Sequence, residues 1–259
     1  MNVVNVIRGS LKTRLIVWFL ILSLVPVIVV SMLAFFNSRS SLENTYLSAL
    51  DTYASSQADS ISKWVEENIR QLEIMAAAPG IRSLKDDQIM PRIKTYVKHN
   101  PAWEMMFWAD PEGRAHTTLD SWADIKDREY FQRVISTGKP AVSNGIISRA
   151  TNRPIVTLAV PIFRDDGKIG GILAATVTLD YLSQLCKNSK LMSQHGYGFI
   201  IQSDGLALAF PDESLVLKAN FLQTDSESVN SITQKMIAGE KGVGRAIYNG
   251  KAQLVAYAP

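Results

Sequence analysis

The chain has 259 residues, of which 47% are hydrophobic and 20% are charged, and these values are typical of a folded globular protein. A net charge of +3, with no Lys/Arg-rich run beyond the N-terminal residues, excludes a dedicated nucleic-acid binder. The single cysteine, Cys186, excludes an internal disulfide framework and a cysteine-built zinc site, and the three histidines lack metal-ligand spacing. We therefore expect no metal and no cofactor.

The first predicted element is an uncharged apolar segment at residues 15–36. It exceeds the roughly 20 apolar residues that a bilayer crossing needs. A cleaved signal peptide is the alternative, but its apolar core would be about 7–15 residues long and would precede a small-x-small cleavage site. Arg8, Lys12 and Arg14 lie before the segment. The positive-inside rule therefore predicts a transmembrane helix with residues 1–14 in the cytoplasm and the rest of the chain outside.

The next predicted element is a long stalk helix over residues 37–80. Its apolar residues recur at steps of three, four or their sums: Leu42, Tyr46, Leu50, Tyr53, Ile61, Trp64, Val65, Ile69, Leu72 and Met75. No proline or glycine interrupts the pattern before "APG" at 78–80. At 1.5 Å per residue the helix spans roughly 60 Å, which is more than a small domain needs. We expect it to continue the membrane helix and to form a homodimer.

A first sheet-containing unit is predicted at residues 81–190. It begins with an amphipathic helix near 86–99, followed by a hairpin in which "PEG" joins "WEMMFWAD" to "RAHTTL". A short helix, "DREYFQRVIS", ends at "TGKP". The strands "AVSNGIIS", "PIVTLAVPIF" and "IGGILAATVTL" follow. This order predicts an antiparallel sheet with helices, an α+β unit.

A second unit of similar plan is predicted at residues 191–259. The hairpin "YGFIIQ"–"SDG"–"LALAF" is followed by the helix "SVNSITQKMIAG" and by the hairpin "GRAIY"–"NG"–"KAQLVAYA". A closing strand is missing, so we expect this unit to be truncated and the chain to be a fragment of a longer protein.

The two long central strands predict a sheet with unlike faces. One face is bulky and apolar, and the other carries small or hydroxylated residues such as Thr157, Thr176 and Thr178. The hydroxylated face could lie against solvent, as is common in antiparallel sheets. The strand centres lack long charged side chains, which favours a cavity that the "DREYF" segment covers.

Arg128 is the most unusual residue of that segment. Asp127 is a plausible N-cap and Glu129 suits a first turn, whereas a cation there opposes the helix dipole by a few tenths of a kcal/mol to about 1 kcal/mol. A guanidinium beside a helix N-terminus forms an anion site, to which Tyr130 would add a hydroxyl donor. The alternative is an arginine that pairs locally with Asp124, Asp127 or Glu129.

The segment "DREYFQRVISTGKPAVSNGIISRATNRPIVTLAVPIFRDDGKIGGIL" resembles the membrane-distal half of a double Cache (dCache) sensor domain. The apolar helix, the stalk and "GYGFIIQSDG" also fit, so the resemblance extends from about residue 15 to the end. It implies two stacked PAS-like subdomains outside the inner membrane of a bacterium. The implied protein is a transmembrane receptor, most like a methyl-accepting chemotaxis protein, with a histidine kinase or a diguanylate cyclase as the alternative output.

The resemblance also implies a ligand site in the distal subdomain. In amino-acid-binding members, residues that match Arg128 and Tyr130 hold the ligand carboxylate, and Phe131 follows. An aspartate that holds the ligand amine corresponds to Thr176 here, so we expect a carboxylate or another small polar ligand. The remaining candidate lining residues are Trp108, Trp122, Ser148 and Thr157.

Three functions remain open from the sequence. A sensory binding module is favoured, because no nucleophile–base pair, metal cluster or phosphate loop is visible. An anchored enzyme would use Arg128 as an oxyanion clamp, with Asp124, Asp127 or His116 as the base. A structural dimerisation module would bind no ligand.

Overall fold

The computed structural model describes residues 11–188 and 196–259. It divides into two compact units, one that ends at Tyr53 and one that comprises Ala54–Pro259. The predicted boundary between residues 190 and 191, and most of the predicted cytoplasmic segment 1–14, lie outside the described residues.

Helix α1, Leu11–Ala76, contains both the predicted membrane segment and the predicted stalk without a break. Within the described ranges it is the one helix that is long and apolar enough to cross a membrane. The helix ends at Ala76, earlier than the predicted residue 80. Proline at position 79 forces the preceding residue out of the helical region, and Ala78 is indeed extended at φ −65° and ψ 137°.

Residues 79–188, which lie within the second compact unit, are called the distal unit. They combine helices with one antiparallel sheet, as the α+β prediction requires. Its helices are α2 (Pro79–Arg82), α3 (Asp86–His99), α4 (Glu129–Thr137) and α5 (Leu179–Asn188). Its strands are β1 (Met105–Ala109), β2 (Arg114–Thr117), β3 (Trp122–Asp124), β4 (Ala141–Val142), β5 (Ile146–Ile147), β6 (Pro154–Phe163) and β7 (Ile169–Thr178). The strand order is β3-β2-β1-β7-β6-β4, and β5 also pairs with β6.

Two local predictions in this unit are corrected. The predicted strand "AVSNGIIS" is divided into β4 and β5, because residues 143–145 interrupt its pairing with β6. The segment before α4, which was not predicted as a strand, contributes β3 at the edge of the sheet, paired with β2.

The two faces of the sheet are as different as the alternation predicts. The bulky face, with Leu158 and Leu173, packs in one core cluster with Leu72 of α1 and Ile89 of α3. The small face packs in a second cluster with α4 and contains Ala159, Ile172 and Ala174. Both faces are therefore covered, and Thr157 and Thr176 of the small face are buried.

Residues 196–259 are called the proximal unit. They contain two separate hairpins, one α-helix and a short 3-10 helix at Glu213–Leu215. The hairpin strands are β8 (Ile200–Ile201) with β9 (Ala207–Ala209), and β10 (Gly242–Tyr248) with β11 (Lys251–Tyr257). Helix α6 is Glu227–Ile237. The predicted tight turn between β10 and β11 is confirmed, since Asn249 and Gly250 both have positive φ, at 49° and 72°.

Candidate ligand site

A cavity of about 360 Å³, including its open mouth, lies on the small face of the distal sheet. We call it the distal cavity; it is lined by Met105, Phe107, Ala115, Thr117, Ala123, Ile125, Arg128, Tyr130, Ile146, Ser148, Arg149, Ala150, Ile155, Thr157 and Thr176. The register explains the convergence, because Thr176 of β7 lies opposite both Met105 of β1 and Thr157 of β6.

Arg128 lies at the end of the segment that leads into α4. It is the N-cap residue, with extended backbone at φ −72° and ψ 129°, so the predicted N-cap Asp127 is wrong by one residue. Its Nη2 donates to the carbonyl oxygen of Ile147 at 2.9 Å. Arg128 forms no salt bridge in the described part of the chain, so the predicted alternative of a local ion pair is not found.

Asp127 has a different partner. Both of its carboxylate oxygens accept hydrogen bonds from Arg149, at 2.8 and 2.7 Å. This contact holds the pKa of Asp127 below its usual range and raises the pKa of Arg149. Arg149 is thereby salt-bridged, whereas Arg128 forms no salt bridge among the described residues.

Tyr130 presents a neutral phenol to the cavity. The residue is 4% exposed, and burial raises the pKa of its hydroxyl to about 12, although the positive charge of Arg128 acts in the opposite direction. The phenol therefore remains an O–H donor throughout the neutral range.

The threonine hydroxyls of the small face differ in how they are satisfied. Thr176 Oγ1 donates to the carbonyl oxygen of Met105, in a long hydrogen bond of 3.4 Å. Thr157 is fully buried, and its Oγ1 has no hydrogen-bond partner. It lies near enough to Tyr130 to lower the pKa of the phenol without meeting the geometry of a hydrogen bond. A buried hydroxyl left unpaired costs about 1–3 kcal/mol, so Thr157 is suited to receive a ligand atom.

Five of the predicted site residues line the distal cavity together, namely Arg128, Tyr130, Ser148, Thr157 and Thr176. The hydroxyl of Ser148 also accepts hydrogen bonds from the backbone N–H groups of residues 150 and 151, at 3.3 and 3.2 Å, and so shapes the loop after β5.

Three predicted site residues lie elsewhere. Trp108 belongs to the opposite face of the sheet, because it follows the lining residue Phe107, and its indole donates to Asp86 at 2.8 Å. Trp122 is 64% exposed and stacks on His116, with a centroid distance of 4.3 Å. Phe131 is buried in the core cluster behind the cavity but does not line it. None of these three residues lines the distal cavity, and their contact with a ligand stays a prediction.

The sequence prediction missed Arg149 and most of the apolar lining. Arg149 follows the predicted Ser148 directly, so a second cation near the site was visible in "SRATNR". The alternation of Met105 and Phe107 with their neighbours was also visible in the sequence. The sequence did not show that this set of residues, and not the other, faces the cavity.

None of the bases considered for an enzyme lines the cavity. His116 Nδ1 lies 2.7 Å from Asp86 Oδ1, and Asp124 and Asp127 are outside the lining. Among residues 11–188 and 196–259, no group of three His, Cys, Asp or Glu side chains is arranged to hold a metal ion.

The proximal unit contains a second concavity of about 430 Å³, which we call the proximal cleft. It is lined by Tyr197, Phe199, Phe210, Phe221, Val229, Ile232, Thr233, Met236, Ala246, Tyr248, Gln253 and Val255. Tyr197 donates from its hydroxyl to Gln253 Oε1 at 3.4 Å. The described lining is aromatic, aliphatic and uncharged, in contrast to the distal cavity.

A family model described as a Cache domain, of the double Cache type, matches residues 38–259. The chain belongs to the double Cache family. The match includes the described sheets and both concavities of this double Cache domain.

Known proteins similar to this double Cache domain are signalling receptors. The methyl-accepting chemotaxis protein PscA of Pseudomonas syringae pv. tomato is 22% identical over 190 residues, which are 71% of this chain and 29% of PscA. The chain spans between 29% and 37% of the length of the curated relatives it matches.

Solved structures share the fold. The extracellular domain of the putative histidine kinase mmHK1S-Z2 has a TM-score of 0.67 and 17% identity, over 84% of this chain and 92% of that chain. The ligand-binding domain of the Pseudomonas aeruginosa PAO1 amino acid chemoreceptor PctB, in complex with L-Gln, has a TM-score of 0.64 and 17% identity, over 82% and 83% of the two chains. The predicted fold and the predicted sensor class are confirmed.

Proposed function

We propose that this double Cache domain is the extracytoplasmic sensor of a membrane receptor and that its distal cavity binds a small carboxylate. The observation that carries the proposal is Arg128, a guanidinium at the cavity wall whose hydrogen bond goes to a neutral carbonyl oxygen. A cation at a cavity wall that forms no salt bridge among the described residues attracts an anion, and partial enclosure strengthens this attraction relative to bulk water.

The neighbouring groups suit a carboxylate. Arg128 offers a planar fork of N–H donors, the neutral Tyr130 offers an O–H donor, and Thr157 has an unpaired hydroxyl. PctB binds L-Gln, whose carboxylate is of the same chemical class, and this supports the proposal. The cavity offers donors and no base, which favours binding over catalysis.

The rest of the proposed receptor follows from α1. Residues 15–36 would cross the inner membrane of a bacterium, and the later part of α1 would form the stalk of a homodimer. The output would be a chemotaxis signalling domain or a histidine kinase, since the similar proteins include both kinds.

A thermal-shift screen of the full chain in detergent micelles tests the proposal. Carboxylates, amino acids, amines and purines are compared, and a carboxylate at a hundredfold excess over its dissociation constant should stabilise the fold by about 2.7 kcal/mol. Arg128→Gln should weaken the binding by about tenfold or more, because it removes a charge-assisted hydrogen bond.

Arg133→Gln is the matched control. Arg133 lies on the same helix and also donates to a backbone carbonyl oxygen, that of Val142, but it does not line the cavity. This variant should bind like the wild type. Equal binding by wild type and Arg128→Gln would show that the carboxylate site is elsewhere.

A further inference from the structure

The charges around the distal cavity are all of one sign. Its described lining includes two guanidinium groups, those of Arg128 and Arg149, and no carboxylate. A ligand with a positive group would therefore meet no opposite charge on the cavity wall.

Three carboxylates on the surrounding segments lie outside the lining and are paired with arginines, and Asp124, on an exposed edge-strand position, accepts from the backbone N–H of Lys126 at 3.0 Å. Asp127 is held by both terminal nitrogens of Arg149. Glu104, just before β1, accepts from Arg153 at 3.2 Å, and Asp180 accepts from the same arginine at 2.9 Å. Turning Asp127 into the cavity would leave Arg149 without its salt bridge, and turning Glu104 would break its contact with Arg153, so neither acid is a ready partner for a cationic ligand group.

A ligand ammonium in the cavity would be unfavourable on two grounds. It would lose its hydration without gaining a carboxylate, and it would lie in the same cavity as the Arg128 guanidinium. The ammonium of an α-amino acid is fixed close to its carboxylate, so an amino acid held by Arg128 could not avoid this environment.

Apart from the two arginines and five hydroxyl-bearing residues, the described lining of the cavity is apolar. This apolar part of the lining consists of Met105, Phe107, Ile125, Ile146, Ile155 and three alanines. It favours a hydrocarbon body next to the carboxylate, because each buried CH₂ adds favourable transfer free energy.

We propose that the ligand of the distal cavity is a short aliphatic carboxylate without an ammonium group. This inference rests on the proposed function, in which Arg128 anchors a carboxylate in this cavity. It assigns the ligand class from the charge and polarity of the wall.

Matched molecules that differ by one group test the inference. Calorimetric titrations of the full chain in lipid nanodiscs compare 4-methylpentanoate, L-leucine and isoamylamine, and then propionate, L-alanine and ethylamine. Within each set the carboxylate should bind at least about tenfold more tightly than the amino acid, a difference of about 1.4 kcal/mol, and the amine should not bind. The same titrations of Arg128→Gln should show weaker carboxylate binding.

The outcomes separate the two proposals. If L-leucine or L-alanine binds as tightly as its carboxylate and Arg128→Gln weakens both, the ligand class is wrong and the carboxylate site stands. If no carboxylate or amino acid of either set binds, or if Arg128→Gln leaves the binding unchanged, the carboxylate site is wrong and the ligand class is overturned with it.

Discussion

Arg128 shows how an unfavourable residue in a local pattern marks a site. At the start of α4 a cation opposes the helix dipole, and the local acids that could have compensated it do not pair with it. Its guanidinium instead reaches the carbonyl oxygen of Ile147 and faces the distal cavity. A position that weakens the helix slightly is tolerable where the charge serves binding.

Tyr130 gives a pH-dependent prediction at the residue scale. The pKa of its phenol is raised from about 10 to about 12, so the folded state holds this proton more tightly than the unfolded state. Its stabilising contribution is complete below pH 10 and is lost as the pH rises toward 12, by about 3 kcal/mol in total. Tyr130→Phe should lose less stability between pH 9 and pH 11 than the wild type does, as measured by thermal unfolding with circular dichroism.

The control for this prediction is Tyr96→Phe, which changes a tyrosine of α3 that is 39% exposed. It should keep the pH dependence of the wild type. Parallel pH profiles for wild type and Tyr130→Phe would contradict the assignment of a buried, proton-retaining phenol.

Trp108 was predicted as a site residue because the sequence does not show which of two neighbouring residues in a strand faces the cavity. In β1, both Phe107 and Trp108 are aromatic, and either could have faced it. The register with β7 decides, since Trp108 pairs with Leu173 of the bulky face and Phe107 pairs with Ala174 of the small face. Long-range pairing of this kind is not encoded in any short stretch of sequence.

At the scale of elements, the predictions were correct where side-chain alternation or a helix-ending glycine determines the local structure. The composition of β6 and β7 predicted two unlike faces, and Gly138 ends α4 in the left-handed conformation, as the "TGKP" motif predicts. The predicted N-cap Asp127 does not cap α4, and its carboxylate instead binds Arg149, 22 residues further along the chain. A long-range contact of this kind is not visible in the local sequence.

A hydrogen-bonded link connects α1 to the strands of the site. Asn68 of α1 accepts from the indole of Trp103 at 2.7 Å and donates to the carbonyl oxygen of Trp64 at 2.7 Å. The residue after Trp103, Glu104, donates its backbone N–H to the carbonyl oxygen of Thr176 at 2.8 Å. A short chain of covalent and hydrogen bonds therefore joins Thr176 of the cavity wall to α1.

This link yields a prediction about stability. Asn68→Ala should lower the free energy of unfolding by about 1–3 kcal/mol, because the indole N–H of Trp103, a residue that is 4% exposed, would be left without a partner. Chemical denaturation followed by tryptophan fluorescence measures the change. In a Trp103→Phe background the same substitution should cost less, since the donor is then absent.

Gln71→Ala, which removes an exposed amide three residues further along α1, is the control and should change stability little. An equal loss of stability in Asn68→Ala and Gln71→Ala would mean that the link contributes nothing measurable.

At the scale of the whole molecule, the two sheet-containing units differ in the chemistry of their concavities. The sequence predicted two related units, but their cavities differ: the distal cavity has two arginines, and the described lining of the proximal cleft has no charge. The order of strands and helices determines the fold, whereas the side chains that line each concavity determine its charge and polarity. The family assignment thus identifies a sensor, and the lining residues specify what each unit can bind.

Hydrogen–deuterium exchange on the full chain most directly tests whether the distal cavity is the sensory site. The carboxylate with the largest thermal shift should slow exchange in peptides that cover 124–131 and 146–157, because ligand contacts stabilise the segments that form the cavity wall. Peptides that cover the proximal cleft, 197–257, should be unchanged or less affected. Slower exchange confined to 197–257, or no change in either region, would contradict the account.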